Sequence, residues 1–368
     1  MGSGASGPSG VQGQSPWPSS LRIIHAGNFG TRAKGAALNS IAPKLSRGLI
    51  RAGHAVVDFA DREVARAATP FGGRTLGVSA ANRALARLTL DVRPDLLLLG
   101  HADTIKPATI SDLRRAMPAM RVLQWNVDPI FEAGNVVRLR EKLPVVDATL
   151  VSTTGDALLP FKRAGMHLGF FPNPVDFSVE TGMAHLHAEL PFDLFYACGH
   201  PNRPPRNLCG ADWDMEAFMS ALIPLVPGLR PRLAGLCGAP HLAGAPYQQA
   251  LGECAMGLNA SRRNDLPLYS SDRLAQMAGS GQLALVDRAT RYDTLFSETE
   301  MGFFTSLNEL AALLRRMIAD PAARQAAAAA GRARYHALFN ETRVARYVLG
   351  VAFGSHNPAE YEWPTLTA

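Results

Sequence analysis

Short apolar runs alternate with amphipathic stretches along most of this chain. Leu21-Arg-Ile-Ile-His-Ala26 is a β-type run that ends in Gly27-Asn-Phe-Gly30. Helical spacing follows at Ala37, Ile41, Leu45, Leu49 and Ile50, and Gly53 stops it. Ala55-Val-Val-Asp-Phe59 reads as the next strand, which closes a β-α-β unit with short connections. The rhythm repeats in strands at 94–99, 121–125, 147–151 and 168–171, with a helix starting at Pro107. Strands that are apolar on both faces and alternate with helices predict a parallel sheet covered on both sides.

Phe171-Pro-Asn-Pro-Val-Asp176 breaks the pattern, because two prolines bar a helix and favour an extended linker. Alternation restarts after Pro191. Strands are expected at 192–197, 231–236, 254–259 and 282–286. Helices are expected at 215–225, 271–278 and 307–318, then from Asp320-Pro321 toward Phe339, then over 342–353. The fold class is therefore α/β, with two doubly wound Rossmann-like domains facing across a cleft. The divisions are a flexible Gly/Ser/Pro leader at 1–20, a first domain at 21–175 and a second domain at 176–340. A helix and tail occupy 341–368.

The totals agree with this picture. The chain has 368 residues, 47% apolar and 18% charged, which is globular composition and long enough for two cores. The net charge of +6 suits anionic ligands such as nucleotide diphosphates, acidic glycans or a lipid surface. Basic runs interleaved with aromatics are missing, so nucleic acid is not an expected partner. Cys198, Cys209, Cys237 and Cys254 lack CxxC spacing and read as reduced packing residues, consistent with the cytoplasm. No stretch approaches the ~20 apolar residues that a membrane span needs.

In doubly wound sheets ligands bind beyond the carboxyl ends of the strands. The loops that matter are thus those after each strand. Arg262, Arg263 and Arg273 cluster where a strand-end loop enters a helix, a sound arrangement for a diphosphate. Gly199-His-Pro-Asn-Arg-Pro-Pro-Arg206 follows the first strand of the second half and carries Arg203 and Arg206 without an acidic residue. Gly27, Asn28 and Gly30 form a small, backbone-exposed loop at the first strand end, and Asn126 lies at another. GxGxxG is missing, which argues against a nicotinamide enzyme. His101, Asp103 and Asp128 are candidate catalytic groups, as general base or as contacts to sugar hydroxyls. Neither zinc-type spacing nor a DxD triplet occurs, so no metal and no cofactor are expected.

Several segments resemble one family. Arg47-Gly-Leu-Ile-Arg-Ala-Gly-His-Ala-Val56, Trp125-Asn-Val-Asp128, Phe171-Pro-Asn-Pro-Val-Asp176, Tyr269–Gly281, Leu295–Phe304 and Asn308-Glu-Leu310 occur in its order and spacing. The chain resembles group 1 glycosyltransferases, in particular their CgeB-like branch, over residues 21–345. The resemblance implies the two-domain GT-B fold and metal-independent transfer of a sugar from a nucleotide-sugar donor, itself the substrate, to a glycan, lipid-linked glycan or protein. It implies donor binding by Gly199, Arg203, Arg206, Asn259, Arg262, Arg273, Gln276, Gly281 and Glu300. Arg273 would contact the diphosphate and residue 276 the ribose. The family often has glutamate where Gln276 stands here. That departure keeps a non-catalytic or weakly active nucleotide-sugar-binding protein as the alternative, beside a nucleotide-sugar epimerase. A cytoplasmic setting, with peripheral association at the inner face of the cytoplasmic membrane, is the expected location.

Overall fold

The computed structural model describes residues 20–30, 35–70, 72–199 and 204–367. Most of the leader therefore lies outside the described residues. The first half contains β1 (Arg22–Gly27), α1 (Ile41–Arg51), β2 (Ala55–Ala60), α2 (Asp61–Ala67), α3 (Val78–Val92), β3 (Leu96–Gly100), α4 (Pro107–Ala116), β4 (Arg121–Asn126), α5 (Ala133–Lys142), β5 (Ala148–Val151) and β6 (His167–Phe170). Its six strands run parallel in the order β2-β1-β3-β4-β5-β6. All five residues of β3 are buried, as expected of a central strand covered on both faces.

The second half contains β7 (Phe192–Ala197), β8 (Arg206–Leu208), β9 (Ala211–Trp213), α6 (Met215–Leu222), β10 (Pro231–Ala234), α7 (Ala245–Gly252), β11 (Cys254–Asn259), α8 (Arg273–Gly279), β12 (Leu283–Asp287), β13 (Gly302–Phe304), α9 (Leu307–Ala319), α10 (Pro321–Phe339) and α11 (Glu341–Phe353). Five of these strands form a parallel sheet in the order β10-β7-β11-β12-β13. The short β8 and β9 make a separate antiparallel hairpin. Asp320 caps α10 by accepting from Ala323 N–H at 2.9 Å, and Pro321 opens the helix.

The chain crosses between the halves at two places that lie side by side. Val175 N–H donates to Phe339 C=O, and Glu341 N–H donates to Val175 C=O, each at 2.9 Å. Two arginines of α1 hold the crossings. Arg47 bonds Asp176 at 2.5 Å, while Arg51 reaches Asp176 at 2.8 Å and Glu341 at 2.7 Å. Burial works against the Asp176 carboxylate, but these two arginines and Ser178 outweigh it and hold its pKa well below the usual range. The segments Arg47–Val56 and Phe171–Asp176, far apart in sequence, are thus one hinge.

Past the hinge α11 returns to pack on α1. Gly48 makes that contact possible, since a Cβ there would lie 2.1 Å from the Glu341 carbonyl oxygen. One apolar cluster joins Leu45 and Leu49 of α1, Val344 and Val348 of α11, and Leu274 and Tyr335 of the second half. The tail then covers the free edge of β6: Phe170 N–H donates to Thr365 C=O at 2.9 Å and Thr367 N–H to Leu168 C=O at 2.7 Å. Among the described residues no helix is long and apolar enough to cross a membrane.

Candidate functional site

Each sheet has one place where neighbouring strands connect in opposite directions. In the first half it lies between β1 and β3, in the second between β7 and β11. Helices cannot fill the space beyond such a point, so a crevice opens there. At the first, Gly27 is required: a Cβ would sit 2.3 Å from Gly100 C=O. Asn28 N–H donates to Gly100 C=O at 3.2 Å, and Asn28 Oδ1 accepts from Gly30 N–H at 3.3 Å. Gly27, Asn28 and Gly30 therefore form a compact turn at the carboxyl end of β1.

At the second point the arginines gather. Arg273, the first residue of α8, donates to Ala197 C=O at 2.7 Å and Ala260 C=O at 3.3 Å, tying together the ends of β7 and β11. Its Nε is buried without a partner. Arg206, at the start of β8, is buried; among the described residues its side chain makes one hydrogen bond, to the Cys198 sulfur at 3.8 Å, and its Nε is also unpartnered. Asn259 ends β11 fully buried, with an unpartnered Nδ2. Burial pushes the Tyr269 phenol up to about 12; it feels the charges of Arg206, Arg262 and Arg273 from its own half and of Asp128 from the other. The sequence-predicted Arg203 lies outside the described residues.

Beside this cluster a cavity of about 290 Å³ opens between the halves. Asn39 and Ser40 line it from the first half; Gly199, Tyr247, Asp272, Arg273 and Gln276 are among its walls in the second. Gly199 lies close to His241, another lining residue, as a Cβ there would stand 3.1 Å from its ring. Gln276 is buried and fully engaged: Tyr247 OH donates to its Oε1 at 2.6 Å, and its Nε2 donates to Asp272 at 3.0 Å and Asn39 C=O at 3.4 Å. Arg262 pairs across the cleft with Glu132 and lies over the Phe131 ring, 5.4 Å from its centre. Phe131 in turn meets the Tyr269 ring edge-on at 5.7 Å.

On the facing wall, His101 has a left-handed backbone (φ 49) at the end of β3. Val127 N–H donates to its Nε2 at 3.2 Å, so Nδ1 carries the proton and points at Asp128 Oδ2, 3.3 Å away. Both ring nitrogens are in use. Burial works against the Asp128 carboxylate, but the His101 hydrogen bond and the nearby charges, Arg138 and Arg62 among them, outweigh it and lower its pKa. Asp103 pairs with Arg62 and stands 3.6 Å from Arg138. Asn126 is consumed by the turn it closes, exchanging bonds with Asn135 and accepting from Asp128 N–H at 2.9 Å.

Residues 203–350 match the family described as Glycosyl transferase-like. No curated protein sequence matches the chain. Among solved structures, sucrose-phosphate synthase from Thermosynechococcus elongatus is 14% identical, over 88% of this chain and 96% of that one, with a TM-score of 0.57. HepE from Anabaena, in complex with UDP-glucose, is 11% identical over 91% and 100% of the two chains, at 0.58. A glycosyltransferase involved in avilamycin A biosynthesis is 14% identical over 90% and 97%, at 0.55. The fold is the GT-B fold of glycosyltransferases.

In a GT-B cleft the carboxyl ends of both sheets face inward, and two of the sequence-predicted site residues are not there. Gly281 precedes β12, so it lies at the amino end of the second sheet. Its glycine is needed for packing, because a Cβ would meet the His185 ring at 2.3 Å and its φ is +81. Glu300 likewise precedes β13, and its carboxylate accepts from Ser297 N–H at 2.8 Å to close a turn. Both were drawn in by motif order, which does not say at which end of a strand a residue falls. Conversely, the cleft is lined by Asn39, Tyr247 and Asp272: the last two fall in the strand-end loops 238–247 and 260–272, where the sequence gives them no role of their own, and Asn39 lies outside every such loop. Only Asp272 carried a signal, as an acidic residue directly before Arg273.

Proposed function

We propose that this chain is a glycosyltransferase that moves a sugar from a nucleotide-sugar donor, held mainly by the second half, to an acceptor hydroxyl on the facing wall. The observation that carries this reading is the pair Arg206 and Arg273. Among the described residues neither has a carboxylate partner, and each keeps a buried Nε without one. Withdrawing a guanidinium even partly from water is costly unless an anion meets it, and a diphosphate at the carboxyl ends of β7 and β11 would do so. The complexes of the Anabaena neighbour with UDP-glucose support a donor of that class.

The leaving diphosphate gains negative charge as the sugar departs, and fixed donors aimed at that charge lower the barrier. Arg206, Arg273 and Asn259 Nδ2 are those donors, in the role that a metal ion takes in other transferases. Across the cleft, Asp128 accepts the acceptor's proton. His101 and Arg138 orient it, and Asp103 holds Arg138 in turn. The acceptor is a glycan, a lipid-linked glycan or a protein, and the net charge of +6 suits work beside an anionic membrane surface. Placement in the CgeB-like branch rests on the order of the motifs in residues 47–56, 125–128, 171–176 and 269–281.

A thermal-shift screen with UDP-, GDP- and ADP-glucose tests the donor reading. At 100 times its dissociation constant the right donor adds about 2.7 kcal/mol of stability. No shift with any of them would refute it. One observation favours a second reading, a nucleotide-sugar-binding protein without turnover: the Gln276 amide is spent entirely on protein partners. That reading predicts a thermal shift without release of nucleoside diphosphate.

A further inference from the structure

One acidic side chain of the first half stands among the arginines of the second. Glu132 ends the loop that follows β4, the loop that also carries Asp128. Its carboxylate pairs with Arg262 across the cleft. Away from the hinge, no other ion pair spans the halves among the described residues. Arg262 belongs to the cluster at the second switch point. Asn207 N–H donates to its C=O at 3.0 Å, which sets it beside Arg206, and the Tyr269 phenol feels the charges of Arg206, Arg262 and Arg273 together. Arg262 and Arg263 both lie over the Phe131 ring, 5.4 and 5.6 Å from its centre, so residues 131 and 132 grip the second half jointly. Arg262 still keeps a buried Nε without a partner.

A carboxylate and a phosphate ask the same thing of a guanidinium, forked donors for two oxygens. Glu132 therefore occupies donors that a diphosphate beside Arg206 and Arg273 would contest. The pair can also be given up cheaply. The Glu132 side chain is 41% exposed, so a released carboxylate returns to water. Nearby contacts between the halves are neutral and offer an anion nothing: Thr153 Oγ1 and Thr154 N–H donate to Pro267 C=O at 2.9 and 3.2 Å. We propose that Glu132 is an internal competitor for phosphate, which latches the halves through Arg262 until a diphosphate arriving at the second half displaces it. The latch is regulation of that same site and rests on the nucleotide reading. A clamp that stays closed over bound ligand would use the same pair with the opposite sign, because there Glu132 helps binding, whereas a competitor hinders it.

The test is calorimetric titration of the full chain and of Glu132→Gln with UDP, GDP and ADP. A partly exposed ion pair is worth a factor of about two to five in an equilibrium. Glu132→Gln is therefore expected to bind the preferred diphosphate about two- to fivefold more tightly than the wild type. In an Arg262→Gln background the same substitution is expected to change nothing, a dependence that a merely structural role for Glu132 would not show. Hydrogen exchange over residues 127–132 gives a second sign: faster when the wild type binds nucleotide, as the latch opens, and slower if a clamp closes. Unchanged or weaker affinity in Glu132→Gln, or slower exchange on binding, overturns the assignment and leaves the nucleotide reading in place. If neither protein binds any of the three, the nucleotide reading falls, and this assignment with it.

Discussion

Acid should unfold this protein partly through one imidazole. His25 lies on β1 with no solvent exposure. Trp125 Nε1–H donates to its Nε2 at 3.1 Å, which leaves the proton on Nδ1. Nδ1 meets Ser46 Oγ at 2.8 Å, and the Ser46 hydroxyl donates onward to Asp58 at 2.6 Å. A second proton would break the Trp125 bond and place a charge in the core. Burial accordingly lowers the pKa from 6.5 to about 3. The folded value lies below the unfolded one, so the unfolded chain binds more protons between them. Stability is complete above pH 6.5 and falls as the pH drops toward 3. With about 1.36 kcal/mol per pH unit, the loss from this group is about 2 kcal/mol at pH 5 and about 4 kcal/mol at pH 3, where the folded group is itself half protonated. Urea denaturation of the wild type and His25→Asn at pH 7.5 and 5.0 measures it. The variant starts less stable, because the Trp125 and Ser46 bonds are disturbed, but loses about 2 kcal/mol less over the interval. His336, lowered to about 4 by burial first, has the same sign and is common to both proteins. Equal losses in the two would refute the reasoning.

Three further outcomes follow from the same geometry. Lys44 and Glu180 are a buried ion pair at the hinge, so Lys44→Met strands a buried carboxylate and costs about 3–5 kcal/mol in denaturant melts, whereas Lys44→Met with Glu180→Leu restores most of it. Gly48→Ala drives a methyl into the Glu341 carbonyl and loosens α11 from α1; a loss of about 1–3 kcal/mol, with faster proteolysis near the hinge, is expected. Gln276→Glu sets a second carboxylate where Nε2 now donates to Asp272 at 3.0 Å, so UDP affinity falls in titration calorimetry; unchanged or tighter binding would refute this.

Parallel sheets made much of this architecture legible. Cys254–Asn259 and Pro321–Phe339 are found where apolar continuity and the Asp-Pro start place them. Helices 61–67, 78–92, 133–142 and 245–252 were not read from the chain, and the strands of the hairpin at 206–213, three residues each, are too short to show alternation. Strand-end loops could be recognised as the site, because topology sends ligands there. What each side chain does in those loops could not. His101 looks like a free base until Val127 and Asp128 occupy its two nitrogens. Arg262 reads as a phosphate ligand until Glu132 arrives from the other half. Asn39, Tyr247 and Gln276 meet although more than 200 residues separate the first from the others, a contact that depends on how the halves close. The hinge shows the same limit: its acidic and basic members lie in separate sequence segments, and only the fold brings Arg47 and Arg51 to Asp176.

The central claim is that buried Arg206 and half-buried Arg273, at the second switch point, drive the departure of a nucleoside diphosphate from a sugar. The most direct measurement is the rate at which nucleoside diphosphate is released from UDP-, GDP- and ADP-glucose by the wild type and by Arg206→Ala. The account predicts release from at least one donor and a fall of about 100-fold or more in the variant, the scale expected when a fixed donor to developing charge is removed. Release by Arg206→Ala at the wild-type rate, or no release from any donor by the wild type, would contradict it.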